Sequence, residues 1–414
     1  MSVPPVRDSC AVARLGRVST KSAFEFRRVV DLPPYAFAKT DALKIELRRA
    51  GVDVIDMGFG NPDLPPHPLA VEKLKEAAEI GRNHRYSQSR GIPRLRKAVC
   101  DLYERKFGVV LDPETQAIST IGAKEGLSHL MWVLLGPGDS AVVPTPTYPI
   151  HRFAPIFAGA SVFEMAMVQG DDLFGNMVEA FEKASPRPRV IIFSFPSNPT
   201  TLTVELDFMQ KAVNFAREND VVLVHDFAYA DLAYDGYEPP SLLQAEGGAE
   251  VGVELYTLSK SFSMAGWRVG FLLGNAEIIN ALARLKSYLD YGTFQPTQIA
   301  SIVVMNEAPD YPKELCEVYQ SRRDVLCDGL NRIGWPIEKP RGSMFVWAQI
   351  PEPYRSLGSL EFAIKLMKDA DVAVSPGSGF GPGGDEHVRF ALIENEQRIA
   401  QGVRGIRRGL TELG

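Results

Sequence analysis

The sequence predicts an α/β protein built on a mostly parallel sheet with helices on both faces. Three observations carry this. From residue 117 onward, short β-branched runs alternate with helical stretches, the order that builds parallel sheets. Several of those runs are apolar at every position, as in Val190-Ile191-Ile192-Phe193 and Val221-Val222-Leu223-Val224, which is the pattern of strands buried on both sides. Polar residues then collect where the runs end, and open α/β sheets bind ligands at the carboxyl ends of their strands.

Taken in order, residues 1–34 lack steady periodicity and end in Pro33-Pro34, so they read as an N-terminal arm. Their first 28 residues carry six Lys or Arg against two acids, a composition shared with transit peptides, but no cleavage pattern stands out. Residues 36–50 have helical spacing and stop at Gly51. Residues 52–57 form a strand that runs into the breaker-rich turn Gly58-Phe59-Gly60-Asn61-Pro62-Asp63. Helices follow at 68–80 and from Ile92 to Phe107, the latter with Pro93 in its first turn. The strand Ala117–Thr120 leads into Gly122-Ala123-Lys124 and a helix ending at Leu135. Strands at 140–144, 161–164, 190–195 and 221–226 alternate with turns and with a helix at 206–219. Strands at 254–258 and 269–273 flank a polar turn. Helices at 276–290 and 296–306 complete this part. A long charged helix at 312–333 then opens a stretch of shorter strands and helices, which reads as a second, smaller domain.

Composition narrows the function. The chain has 414 residues, 45% hydrophobic and 23% charged, ordinary for a globular protein and long enough for two domains. A formal net charge of −6 without any long basic run argues against nucleic acid as the main partner. Cys10, Cys100, Cys316 and Cys327 form no CxxC pair, so neither a zinc site nor a disulfide framework is expected, and reduced thiols of a cytoplasmic protein fit the pattern. No apolar run approaches the roughly 18 residues that span a membrane.

The chemistry concentrates in Thr257-Leu258-Ser259-Lys260-Ser261-Phe262-Ser263-Met264-Ala265-Gly266-Trp267-Arg268. Burial disfavours a lysine ammonium, and a neutral lysine amine condenses with an aldehyde. Thr257, Ser259 and Arg268 supply hydroxyls and a bidentate cation for a phosphate. An aldehyde and a phosphate on one ligand read as pyridoxal 5′-phosphate. Asp226 closes the strand VVLVHD, where an acid pairs with a protonated pyridine nitrogen; alone, it equally fits a turn cap. Tyr229 and Asn198 offer hydrogen bonds to the ring oxygen of such a ligand, although an aromatic packed under a loop and a plain SNP turn explain them as well. Gly122-Ala123-Lys124 opens a helix after a strand, an anion-binding place that many helices share. Tyr148, between Pro146 and Pro149, suits stacking on a ring or packing in a core. Arg389, in the apolar strand His387–Leu392, calls for a carboxylate partner, internal or from a substrate, and Gly60 is small enough to approach the same group.

In this order the residues resemble the class I and II aminotransferases, the aspartate-aminotransferase-fold family. The likeness runs from about Leu32 to the C-terminus. The segments YSQSRGIPRLR, TIGAKEGLSHL, FPSNPT, VHDFAYAD, TLSKSFSMAGWR and HVRFALIEN look like bacterial glutamate–pyruvate (alanine) aminotransferases, and LL-diaminopimelate aminotransferases are similar at many of the same positions. The resemblance implies fold type I, with a large domain at 61–306 around a seven-stranded sheet and a smaller α+β domain from 35–60 and 307–414. It implies that Lys260 holds the cofactor and moves the proton, that Asp226 pairs with the ring nitrogen, and that Asn198 and Tyr229 bind the ring oxygen. Tyr148 would stack on the ring. Ala123, Lys124, Thr257 and Arg268 would hold the phosphate, with Tyr86 reaching that of a neighbouring subunit in a homodimer. Arg389, Gly60, Asn198 and Tyr35 would meet the substrate, and Thr293 would lie by the pocket or phosphate. No metal is implied. Aspartate aminotransferases of the animal type place a second arginine in the segment aligned with 286–294; here it reads KSYLDYGTF, so a strict aspartate preference does not follow.

The expected reaction is a ping-pong transfer of an α-amino group between alanine or glutamate and a 2-oxo acid. The same fold carries β-lyases and oxidases, because fold does not fix chemistry. It also forms effector domains of transcription regulators, but residues 1–34 are too short and irregular for their DNA-binding helices.

Overall fold

The computed structural model describes residues 32–33 and 37–411. Most of the expected arm, and Tyr35, lie outside the described residues. The strands are β1 (Ile55–Asp56), β2 (Ala117–Thr120), β3 (Ser140–Thr145), β4 (Ser161–Ala166), β5 (Val190–Phe193), β6 (Val222–Asp226), β7 (Gly252–Thr257), β8 (Gly270–Gly274), β9 (Phe345–Gln349), β10 (Val372–Ala373), β11 (Ser375–Pro376) and β12 (His387–Ala391).

Seven of them form one sheet in the order β2-β8-β7-β6-β5-β3-β4. β8 runs antiparallel to both neighbours, and the other pairs are parallel. The exception follows from the connection. Parallel strands need a crossover, usually a helix packed on the sheet face, whereas residues 258–269 form two short helical turns at the strand ends. Both faces are buried, as the apolar runs predict. Ala141, Val143, Val190 and Ile192 join one core, while Val142, Ile191 and Phe193, the alternate positions, join another. With its central strands covered on both faces, the sheet has its polar chemistry displaced to the strand ends.

A separate core gathers Trp335, Phe345, Phe362, Phe390 and Ile399 between helices Tyr311–Arg332, Gly358–Asp369 and Glu396–Gly409 and a three-stranded antiparallel sheet, β11-β12-β9. β1 pairs with β10 in parallel. The strand expected over 52–57 contracts to Ile55–Asp56, because its partner offers only Val372 and Ala373. Two helices are not evident from the sequence. Pro149–Ala158 contains Pro155, and Leu173–Lys183 contains Gly175; breaker residues mask both patterns. No helix among the described residues is long and apolar enough to cross a membrane.

Candidate active site

A cavity of about 430 Å³ lies among segments that follow the ends of β3, β5, β6 and β7, and is closed by β9, β12 and the turn at 58–61. Gly60, Ala123, Lys124, Tyr148, Asn198, Asp226, Tyr229, Thr257, Ser259, Lys260, Arg268 and Arg389 all line it. These residues are scattered along most of the chain and meet because strand ends converge at one edge of the sheet.

Thr257 ends β7 and caps the short helix Leu258–Ser261 by accepting from the Ser259 N–H at 3.1 Å. That turn points Lys260 back across the cavity, where Nζ donates to the Gly60 carbonyl at 3.1 Å. Burial pulls the amine down to about 8, helped by the charges of Arg389 and Arg268. The neutral, nucleophilic form thus comes within reach of physiological pH.

An anion cradle stands beside it. Gly122 adopts φ +80°, and a Cβ there would lie 2.2 Å from Arg268 Nη2. Only glycine satisfies both the conformation and the contact. The helix Ala123–Leu134 starts here with no side-chain cap, which leaves first-turn N–H groups and the positive end of its dipole for an anion. Arg268, itself left-handed at φ +60°, donates to the carbonyls of Ala265 (3.0 Å) and Ile121 (3.2 Å). The hydroxyls of Thr257 and Ser259 are 2.9 Å apart, and Lys124 Nζ sits 5.7 Å from the Tyr148 ring centre.

Asp226, buried at the end of β6, receives His151 Nε2 at 2.8 Å on one oxygen and the Ala228 N–H at 3.2 Å on the other. Thr147 Oγ1 stands 2.7 Å from His151 Nδ1; a neutral ring protonated on Nε2 satisfies both contacts. Across the cavity, Asn198 Nδ2 donates to the Tyr229 hydroxyl at 3.3 Å while its Oδ1 accepts from Arg389 Nη1 at 2.7 Å. Burial pushes the Tyr229 phenol well up, so it stays a protonated donor. Arg389 Nη2 donates to the Gly58 carbonyl (3.1 Å) and Ser375 Oγ (3.2 Å). Its guanidinium lies between the rings of Phe345 (4.0 Å) and Phe380 (4.6 Å), which fix its plane.

Sequence reasoning misses His151, Ser375, Phe345 and Phe380. His151 has a signal, four residues after Thr147 at the start of a helix, but only the fold reveals that it faces Asp226. Two residues named from the resemblance are not among those that line this cavity. Tyr86, expected to reach a neighbouring subunit, is 84% exposed, and its ring lies tilted against that of Tyr291 with centres 4.4 Å apart. Thr293 is not among the residues lining the cavity; its carbonyl accepts from Gln298 Nε2 at 2.6 Å.

Pyridoxal 5′-phosphate is an aldehyde, a ring nitrogen and a phosphate on one small frame, and the cavity offers a depressed lysine amine, a buried carboxylate and an anion cradle. Gly122 leaves open the approach that a Cβ would fill. The residues fit the group.

The sequence matches the family described as aminotransferase class I and II over residues 52–406. It is 51% identical to the glutamate-pyruvate aminotransferase AlaC of Escherichia coli over 94% of each chain, and 38% identical to an LL-diaminopimelate aminotransferase of Desulforudis audaxviator over 93% of this chain and 98% of that one. Among solved structures, an aspartate aminotransferase mutant of Thermus thermophilus superposes with TM-score 0.87 at 27% identity, covering 94% of this chain and 100% of the other.

Proposed function

The chain belongs to the class I and II aminotransferases, and from that premise we propose that it exchanges an α-amino group between L-glutamate or L-alanine and the 2-oxo acids pyruvate and 2-oxoglutarate, with pyridoxal 5′-phosphate as cofactor. The observation that carries this is the placement of Lys260, with its amine lowered to about 8, in one cavity with Asp226, the Gly122–Arg268 cradle and Arg389. The 51% identity to a glutamate-pyruvate aminotransferase supports the substrate pair.

When bound, the cofactor supplies an electron sink for the carbanion left at the amino acid's Cα. Lys260 Nζ would hold the cofactor, and as a free amine would take up the substrate's Cα proton and give it back on the other side of the transfer. Asp226, kept in place by His151 and the Ala228 N–H, would present a carboxylate to the ring nitrogen. Asn198 and Tyr229 would donate to the ring oxygen, and Tyr148 would cover the ring. Ala123, Lys124, Thr257, Ser259 and Arg268 would hold the phosphate. Arg389 grips the α-carboxylate through two parallel N–H bonds, with Gly60 admitting the substrate beside it: a Cβ at Gly60 would lie 2.8 Å from the Phe345 ring and 3.5 Å from Arg389 Nη2.

The likeness to LL-diaminopimelate aminotransferases supports a second reading, and a single half-reaction separates the two. The cofactor-loaded enzyme is mixed with L-alanine, L-glutamate or LL-diaminopimelate without an acceptor, and the cofactor's absorbance is followed. Bleaching by alanine and glutamate is the expected result; bleaching by diaminopimelate but not alanine would move the enzyme to the second reading. The proposal extends to a cytoplasmic homodimer, with 35–60 and 307–414 as a small domain beside a large one at 61–306. A core drawn mostly from Ile55, Met57 and residues after 307, joined by Tyr229, Leu232 and Tyr234, stands apart from the sheet core and supports that division.

A further inference from the structure

Behind the cradle lies an ion cluster that the proposed mechanism does not use. Lys286 is fully buried. Its ammonium lies 2.7 Å from Glu125 Oε1 and 2.8 Å from Asp290 Oδ2, and His129 Nδ1 is 2.7 Å from the same Glu125 oxygen. Glu125, His129 and Asp290 bring ligand-type atoms within 4.8 Å of one another, but the ammonium already answers their charge, so this is not a place for a metal ion. A buried ion cluster is costly to assemble and is weak evidence of stability by itself. Its position suggests what it does.

Glu125 is the third residue of the helix that opens at Ala123. Its second oxygen, Oε2, reaches back past the helix start and accepts the Ile121 N–H at 2.8 Å, a variant of the bond a first-turn glutamate makes in a capping box. The Ile121 carbonyl accepts from Arg268. The peptide groups flanking Ile121 are therefore gripped on both sides: by Glu125 from within the helix and by Arg268 from the cradle. The next residue is Gly122, where an added Cβ would run into the guanidinium. Lys286 in turn ties Glu125 to helix Ala276–Leu289, and Asp290 Oδ1 receives the Gly292 N–H at 2.7 Å.

We propose that Glu125 is a positioning residue for the phosphate cradle: anchored by Lys286, it holds the 121–123 turn so that the helix N–H groups and Arg268 converge on one anion. This rests on the assignment of that cradle to the cofactor phosphate. Glu125 touches neither cofactor nor substrate; it acts through the Ile121 backbone.

The test uses the cofactor-loaded enzyme and reads two things besides activity: the rate at which bound cofactor exchanges with labelled cofactor, and the phosphorus NMR resonance of the bound phosphate. Glu125→Ala should speed exchange by about tenfold, the scale of one charge-assisted hydrogen bond, and should shift the resonance. Glu125→Gln keeps an acceptor for the Ile121 N–H and should stay within about threefold of the parent enzyme. Glu125→Asp keeps the charge facing Lys286 but shortens the reach, so it should behave like Glu125→Ala, and it takes the place of the alanine variant if that one does not fold. Exchange at the parent rate with an unmoved resonance in both the Ala and Asp variants would overturn the proposal, as would a Gln variant as loose as Ala. Arg268→Gln separates the two levels. If it too leaves exchange unchanged, the cradle assignment fails; if it loosens the cofactor while the Glu125 variants do not, only the role of Glu125 fails.

Discussion

Lys260 shows how a residue acquires chemistry from its surroundings. Its sequence neighbours supply hydroxyls and small apolar groups, and the turn at Leu258–Ser261 carries its amine into a cavity shared with two arginines. Burial and those charges lower the amine from 10.5 to about 8. Capture of an added aldehyde by the free amine should therefore rise with a midpoint near pH 8 in the folded chain; a midpoint no lower than that of an ordinary lysine would show that Lys260 is solvated. The sign for stability follows. Between about 8 and 10.5 the unfolded chain holds a proton that the folded one has lost, so this group makes folding more favourable as pH rises through that window. Lys260, Asp226 and Arg389 are legible because a lysine, an acid and an arginine placed in or beside apolar strands each ask for a partner. Who the partners are is not legible: His151 meets Asp226 across 75 positions, and Asn198 meets Arg389 across 191.

At the scale of elements, the strand-to-helix turn at Gly122 carries the clearest prediction. Gly122→Ala meets two penalties at once, an extended backbone at positive φ (φ +80°, ψ 161°) that costs an ordinary residue roughly 1–3 kcal/mol and a Cβ 2.2 Å from Arg268 Nη2. The guanidinium must move. The cofactor-binding constant, titrated by absorbance, should weaken by roughly tenfold or more, and excess cofactor should restore much of the activity. Unchanged binding would mean that Arg268 does not depend on this turn. Strands and long helices are readable because apolar runs and helical spacing survive in a single sequence. Helices Pro149–Ala158 and Leu173–Lys183 are not, because their internal proline and glycine mark breaks unless tertiary packing overrides local preference.

At the scale of the molecule, a band of large side chains stays open on the single chain. Tyr86, Tyr288 and Tyr291 are 84%, 86% and 61% exposed, with Leu289 and Phe294 beside them. So much apolar surface on one side marks an interaction face, and a second copy of this chain is the occupant we propose. Sedimentation at low micromolar concentration should show a dimer, and Tyr86→Ala should raise the dissociation constant and loosen the cofactor together. A fully active monomer would remove the dimer from the proposal.

Fold class, the division of strands from helices over most of the chain, and the lysine, acid and arginine that line the cavity were all written in the amino-acid order, because each rests on local pattern or on an unusual residue in an apolar setting. What those residues do to one another emerges only in three dimensions. The depressed amine of Lys260, the support of Asp226 by His151, the clamp of Phe345 and Phe380 on Arg389 and the grip of Glu125 on Ile121 all join segments far apart in the chain or hidden in a turn. Burial and charge are properties of a place, and a place exists only once the strands have been brought side by side.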